Sequence, residues 1–360
     1  MTTLPVAIPT PTLVHLSRLT NHWGIAEHAY LAAPRPEANY CTDDAGRLLA
    51  LSSRLADDAH APRLARNALH FLTRAHLDGS AFLLRHDAAG TWSSDVSDDA
   101  SARALLGLAS AAAFAPWPDV RRGALALFDE CVGFTSDHLR ASAYATLAAA
   151  TLLMEVPDHE GARTLLSNAP PLVVSNLNDP WPWPESRLTY ANALLPYAEL
   201  ARAAVRHDSV AARHALEVLE WLVTEETLDD HFSFTPVAGR GRGDERPAFD
   251  QQPIEAFATA EACAFAYEYS GDEKWLDAAT RAGSWFLGNN DVGAAVFDPQ
   301  SGGGFDGLES SGVNRNQGAE STLAFVATMR ELSELEHRSG QPTRWRDESL
   351  YATSRSASSK

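Results

Sequence analysis

Two kinds of helical pattern alternate along this chain. One is rich in alanine and leucine nearly all round, over 43–56, 98–114, 137–155, 185–207, 250–269 and 317–336. The other carries an apolar stripe opposite a charged face, as in 62–77, 118–134, 209–226 and 272–287, with a shorter helix at 159–166. A helix apolar on every side belongs in the interior, whereas a striped one turns a face to water. One further helix, 12–20, lies in a Pro-rich opening segment that runs to residue 40. Strand-like stretches are confined to 232–235 and 294–297, enough for small hairpins. Six inner helices, each neighboured by an outer one, predict an all-α fold, an (α/α)6 toroid with the inner N-termini around one mouth. An α-solenoid shares the alternation but gives no reason for acidic and amide residues at the starts of the inner class alone. The toroid is expected to fill 1–340 as one domain, followed by a polar, Ser-rich, disordered tail at 341–360.

Composition sharpens this picture. The chain has 360 residues, 45% hydrophobic and 21% charged, as in a soluble globular protein with a large core. Its net charge of -18 repels nucleic acid and anionic membrane, so neither is an expected partner. Cys41, Cys131 and Cys263 are far apart, which fits buried thiols in a reducing compartment. Residues 1–12 lack the basic segment of a signal peptide, and 143–154 is too short an apolar run to span a bilayer. The expected location is cytoplasmic.

The starts of the inner helices carry the candidate chemistry. The stretch 249–264 crowds Asp250, Gln251, Gln252 and Glu255 around a helix start that one capping residue would satisfy, and Pro253 suits a first turn. Other starts bring Asp43, Asp44 and Arg47; Asp98, Asp99 and Arg103; Asp137, His138 and Arg140; Glu185, Arg187, Tyr190 and Asn192; and Asn314, Asn316, Gln317 and Glu320. Trp92, Trp181 and Trp183 sit in loops just before such starts. Carboxylates, amides and Arg grip sugar hydroxyls, and indole faces stack on sugar rings. The competing structural reading makes Asp43 or Asp44, and Asp98 or Asp99, simple N-caps and the tryptophans packing residues.

Five motifs then carry a resemblance. They are Tyr40-Cys-Thr-Asp-Asp-Ala-Gly-Arg-Leu-Leu-Ala-Leu; Ser97-Asp-Asp-Ala-Ser-Ala-Arg-Ala-Leu; Trp183-Pro-Glu-Ser-Arg-Leu-Thr-Tyr-Ala-Asn-Ala-Leu-Leu-Pro; Phe249-Asp-Gln-Gln-Pro-Ile-Glu-Ala; and Gly307-Leu-Glu-Ser-Ser-Gly-Val-Asn-Arg-Asn-Gln-Gly-Ala-Glu-Ser-Thr-Leu-Ala. Together they resemble the bacterial six-hairpin (α/α)6 domain that occurs alone or fused to GT-B glycosyltransferases. The resemblance spans about 40–336 and is most specific in the last two motifs. It implies a glycan-active protein with an oligo- or polysaccharide as partner, adds Glu309 to the candidate residues, and extends to mannoside hydrolases, including actinobacterial ones acting on intracellular methylated mannose polysaccharides. The chain departs from the pattern at the fourth inner helix. There an acidic pair usually precedes Leu-Thr-Tyr, and only Glu185 remains, followed by Ser186 and Arg187.

The chain shows no phosphate-cradling Gly loop between a strand and a helix, so a sugar-nucleotide transferase is not expected. A glycoside hydrolase working through two carboxylates leads. Asp43 as base and Glu255 as acid are the first choice, with Asp44 and Asp250 as alternates. Glu255 is expected to project into the funnel, with inversion favoured because the two come from different helices. A sugar epimerase would want a His pair at inner starts, where only His138 stands. A terpenoid-cyclase-like barrel would want Asp-Asp-x-x-Asp, which the pairs at Asp43 and Asp98 lack. A noncatalytic glycan-binding partner of a glycosyltransferase would need the tryptophans and amides but no opposed carboxylates. No cofactor and no catalytic metal are expected, since there is no His-x-x-x-His and no Cys cluster.

Overall fold

The computed structural model describes residues 8–174 and 176–338. The expectations for residues 1–7 and for the tail from 339 lie outside the described residues. Among those described, the chain forms twelve α-helices and a few strands of two or three residues. The helices are α1 (Val14–Leu19), α2 (Thr42–Arg54), α3 (Ala61–Ala75), α4 (Asp98–Phe114), α5 (Pro118–Glu130), α6 (Leu139–Glu155), α7 (Glu160–Asn168), α8 (Leu194–Arg206), α9 (Ser209–Glu226), α10 (Pro253–Ser270), α11 (Glu273–Phe286) and α12 (Ala319–Arg338). No helix among the described residues is long and apolar enough to cross a membrane.

The even-numbered helices form the inner ring. In turn α2 packs on α4, α4 on α6, α6 on α8, α8 on α10 and α10 on α12, and α12 closes on α2. The odd-numbered helices α3, α5, α7, α9 and α11 each pack against the inner helix before them, while α1 lies against α12. This is the expected (α/α)6 toroid. The composition of the inner helices sets their close spacing. A Cβ added at Gly107 of α4 would meet the Gly46 carbonyl oxygen of α2 at 2.4 Å, so these two backbones approach where only glycine fits.

Local caps are commoner in the outer ring. Asp208 accepts from the N–H groups of Val210 and Ala211 at α9, Asp272 from Lys274 at α11, and His159 from Ala162 at α7, while α3 and α5 have no side-chain cap. The residues preceding α2, α6 and α10, which are Cys41, His138 and Gln252, make no side-chain cap bond, and only α4 among the inner helices is capped locally, by Ser97. Asp43, Asp44 and Asp99 are therefore not consumed as caps and turn to other partners.

Two inner starts differ from expectation. α8 begins at Leu194, not near 185; residues 185–193 form an irregular segment in which Ala191 has φ 45°. α10 begins at Pro253, and Asp250 is exposed and outside the helix, so it is not the cap; its carbonyl accepts from the Val237 N–H. Of the expected hairpins, Phe232 pairs within 227–232 and Phe297 within 297–304, while 233–235 and 294–296 lie outside strands.

Candidate functional site

The first turns of the inner helices meet around three arginines. Arg47 of α2 donates from Nη1 to Asp43 Oδ2 at 3.2 Å and Asp44 Oδ1 at 2.6 Å, and from Nη2 to Glu320 Oε2 of α12 at 2.5 Å. Three carboxylates thus share one guanidinium. Glu320 is 40% and Asp43 25% exposed at the side chain, against 3% for Asp44. Burial and the neighbouring Asp43 push the Asp44 carboxyl up to about 7. For Asp43, burial also pushes upward, but Arg47 and Arg103 outweigh it and hold the carboxyl below its ordinary value. Because the groups are tightly coupled, the retained proton belongs to the cluster more than to one oxygen.

Arg103 of α4 donates to Asp99 Oδ2 at 2.7 Å and lies 4.2 Å over the Tyr144 ring. Asp99 also accepts from the Tyr190 hydroxyl at 2.5 Å. Arg140 of α6 holds the same segment, donating to the Tyr190 carbonyl, to Glu185 and to Asn192 Oδ1. The 185–193 segment is therefore drawn over the mouth by α4 and α6.

Glu255 takes a different place from the one expected. Its side chain does not open on the funnel: it is 3% exposed, accepting from the N–H of Ala191, the N–H of Asn192 and Asn192 Nδ2. α10 thus supplies acceptors for the turn that leads into α8, where Ala191 has positive φ. Burial and Glu226 push its carboxyl up to about 8, against the pull of the two N–H groups. The start of α12 is served similarly by Asp306, which accepts from the Gly318 N–H and the Ser321 hydroxyl.

Two hollows lie beside these residues. The mouth is about 800 Å³ and is lined by Asp98, Asp99, His138, Glu185 and Tyr190 among others. A second cavity of about 90 Å³ is faced by Arg47, Arg103, Tyr144, Phe257 and Glu320. Asp99 and Arg103, which pair with each other, face the first and the second respectively.

The remaining sequence candidates scatter. Trp92 packs edge-on against Phe71 and His86, and Trp181 and Trp183 pack on Trp221 of outer helix α9. All three do structural packing. Gln251 is fully buried, bonded to the Phe234 N–H, the Trp285 indole, the Ala248 carbonyl and Asp291. Gln317 is buried between Ser301 and Asp298. Arg187 turns outward to Asp244 and the Gly239 carbonyl. Asn316 Oδ1 accepts from the Leu31 N–H, and Asn314 Oδ1 from the Asn316 N–H. Gln252 and Glu309 are half-buried. His138 stands exposed at the mouth. Sequence reasoning gave no weight to Asp306 as a helix partner or to Tyr144 in the second cavity.

The thiol of Cys41 and the carboxylates of Asp43 and Asp44 lie within 4.8 Å of one another. Their chemistry suits a proton better than a metal ion. Burial and the adjacent carboxylates push the thiol well above its ordinary range, it donates to Asp44 Oδ2 at 3.0 Å, and Arg47 already supplies the countercharge. Incubation with EDTA is expected to leave activity unchanged; loss restored by a divalent ion would make these groups ligands.

No protein-family model matches the chain, and no curated protein matches it. Solved structures do. The cellobiose 2-epimerase of Bacillus thermoamylovorans superposes with TM-score 0.70 at 14% identity, covering 91% of this chain and 96% of that one. A D-mannose isomerase gives 0.64 at 12%, covering 89% and 94%. The GH76 alpha-mannanase of Bacteroides thetaiotaomicron gives 0.57 at 12%, covering 82% and 87%. At these identities the likeness establishes the fold, an (α/α)6 toroid shared with enzymes that act on sugars.

Proposed function

We propose that this protein is a glycoside hydrolase acting on an oligo- or polysaccharide at the mouth formed by the inner N-termini, with an α-mannoside as first candidate. The observation that carries the reading is the Asp43–Asp44–Glu320 cluster on Arg47. It offers one carboxylate held ionised and a proton retained to near pH 7, the division of labour that two-carboxylate hydrolysis needs. Asp43 is the base. Glu320, the most open carboxylate on the same guanidinium, is the candidate acid. Tyr190, Asp99 and Glu185 face the sugar from the opposite wall. Glu255 positions that wall and does not touch substrate.

Sugar epimerisation or isomerisation is the second reading, favoured by the likeness to the cellobiose 2-epimerase and the D-mannose isomerase. It wants a base pair on opposite sides of one carbon, and His138 is the one histidine lining the mouth. One assay separates the readings: purified protein is incubated with manno- and gluco-oligosaccharides and followed both for new reducing ends and for altered sugar stereochemistry at constant chain length. New reducing ends support hydrolysis; isomerised sugar without them overturns it; binding without either indicates a noncatalytic glycan-binding protein.

The cluster sets the pH profile. Its proton leaves as pH rises through about 7, so kcat/KM is expected to fall above that value, while Asp43 stays ionised to below the ordinary carboxylate range. In Asp44→Asn the alkaline limb is expected to move by more than about one pH unit. A pH–rate profile unchanged by Asp44→Asn would remove the cluster from the chemistry.

A further inference from the structure

The tryptophans expected to hold sugar are spent on packing, and besides Tyr190 at the mouth a second exposed aromatic stands out. Tyr30 is 68% exposed, more than any other large hydrophobic residue described, and Leu31 beside it is 50% exposed. They form the tip of a hairpin in which Ala29 pairs with Pro34 and Tyr30 with Ala33. Leu31 has φ 50°, a left-handed conformation that glycine takes readily and a residue with a Cβ does not. It is kept there by α12's entry loop: the Leu31 N–H donates to Asn316 Oδ1 and its carbonyl accepts from the Gln317 N–H, both at 3.0 Å.

The hairpin's place in the fold is equally definite. The Ala319 N–H, at the first residue of α12, donates to the Glu27 carbonyl. On the other side Ala26 bridges to Tyr40, two residues before α2. The hairpin is thus tied to the approaches of both α12 and α2, the two helices that Arg47 and Glu320 join. An exposed aromatic ring beside an aliphatic side chain, on a hairpin whose backbone is tied down, offers the surface on which the apolar face of a pyranose stacks.

We infer that Tyr30 and Leu31 are a ledge that holds a sugar residue beyond the one being cleaved, so that the protein selects chains over disaccharides. The inference rests on the hydrolase reading for where the scissile bond lies. The backbone ties matter because a hairpin already tied down binds without the entropy cost of ordering a loop.

The test compares wild type with Tyr30→Ala and Leu31→Ala on manno- and gluco-oligosaccharides of increasing length. It reads kcat/KM by reducing ends, affinity by calorimetry, and thermal midpoint and sedimentation as controls. For wild type, kcat/KM and affinity are expected to rise with chain length. For Tyr30→Ala, about tenfold is expected to be lost on the longer chains and nothing on disaccharides, with the midpoint unchanged. Leu31→Ala should show the same length dependence more weakly. Equal loss at all lengths, or no loss in rate and affinity, overturns the ledge. A wild-type protein that binds long chains without cleaving them, and loses that affinity in Tyr30→Ala, keeps the ledge and ends the hydrolase reading. A change from dimer to monomer in Tyr30→Ala, with glycan affinity intact, assigns the patch to self-association and overturns the inference.

Discussion

Asp43→Asn is expected to lower turnover by a factor on the order of 10²–10⁴ while the protein remains folded. Three features set that magnitude. The carboxylate is a quarter exposed, it is held ionised by Arg47 and Arg103, and it caps no neighbouring turn, so an amide in its place keeps an acceptor for its own N–H. The stability cost should be small, since Arg47 keeps Asp44 and Glu320. Glu320→Gln belongs in the same experiment because Glu320 is the most open carboxylate of the cluster. A drop in turnover that tracks loss of folded protein, or near wild-type rates in both variants, would move the chemistry to Asp99 and Glu185 on the opposite wall.

Glu255→Ala is expected to do the reverse, destabilising the fold by about 2–5 kcal/mol. Removing the carboxyl leaves the N–H groups of Ala191 and Asn192 and the Asn192 amide without their acceptor, at about 1–3 kcal/mol for a buried donor, and opens a cavity as well. The sign of the pH dependence follows from the raised carboxyl. Its value in the fold is about 8 against an ordinary 4.5. Folding therefore favours the protonated form, and Glu255's contribution is fully present below about 4.5 and declines as pH rises to about 8. The gap in unfolding free energy between wild type and Glu255→Ala should narrow across that window and be flat outside it. Because the wall carrying Tyr190 also loosens, KM should rise more than kcat falls. Chemical denaturation at several pH values checks the first outcome, and steady-state kinetics the second. A variant as stable as wild type but without turnover would return Glu255 to catalysis.

The contrast between these two residues also shows what can be read from a sequence. The ring was legible because all-round Ala and Leu in 98–114 and 137–155, against striped outer helices, is a one-dimensional trace of burial. Local caps such as Asp208 and Asp272 are legible for the same reason, their partners being two or three residues away. Glu255 was not. It meets Asn192, 63 positions earlier, and turns what reads as the first turns of a helix into an irregular segment. The acidic first turn of α2 was found, but its partner Glu320 was assigned to substrate and Glu255 to the reaction, because sequence spacing cannot say which inner helices touch across a ring. The tryptophans were misplaced by residue type alone, since an indole packed on another indole and one open to sugar read alike.

The closure of α12 on α2 also orders events in time. Arg47 and Glu320 are 273 residues apart in sequence, and they meet across the final joint of the ring. The hairpins of neighbouring helices can assemble successively as the chain leaves the ribosome, each from local contacts. Until α12 has been made and docked, the guanidinium of Arg47 faces a gap and the proton-holding cluster does not exist. Among the described helices α12 comes last in the chain, so the carboxylate cluster on Arg47 is completed only after α4, α6 and α8 have been made.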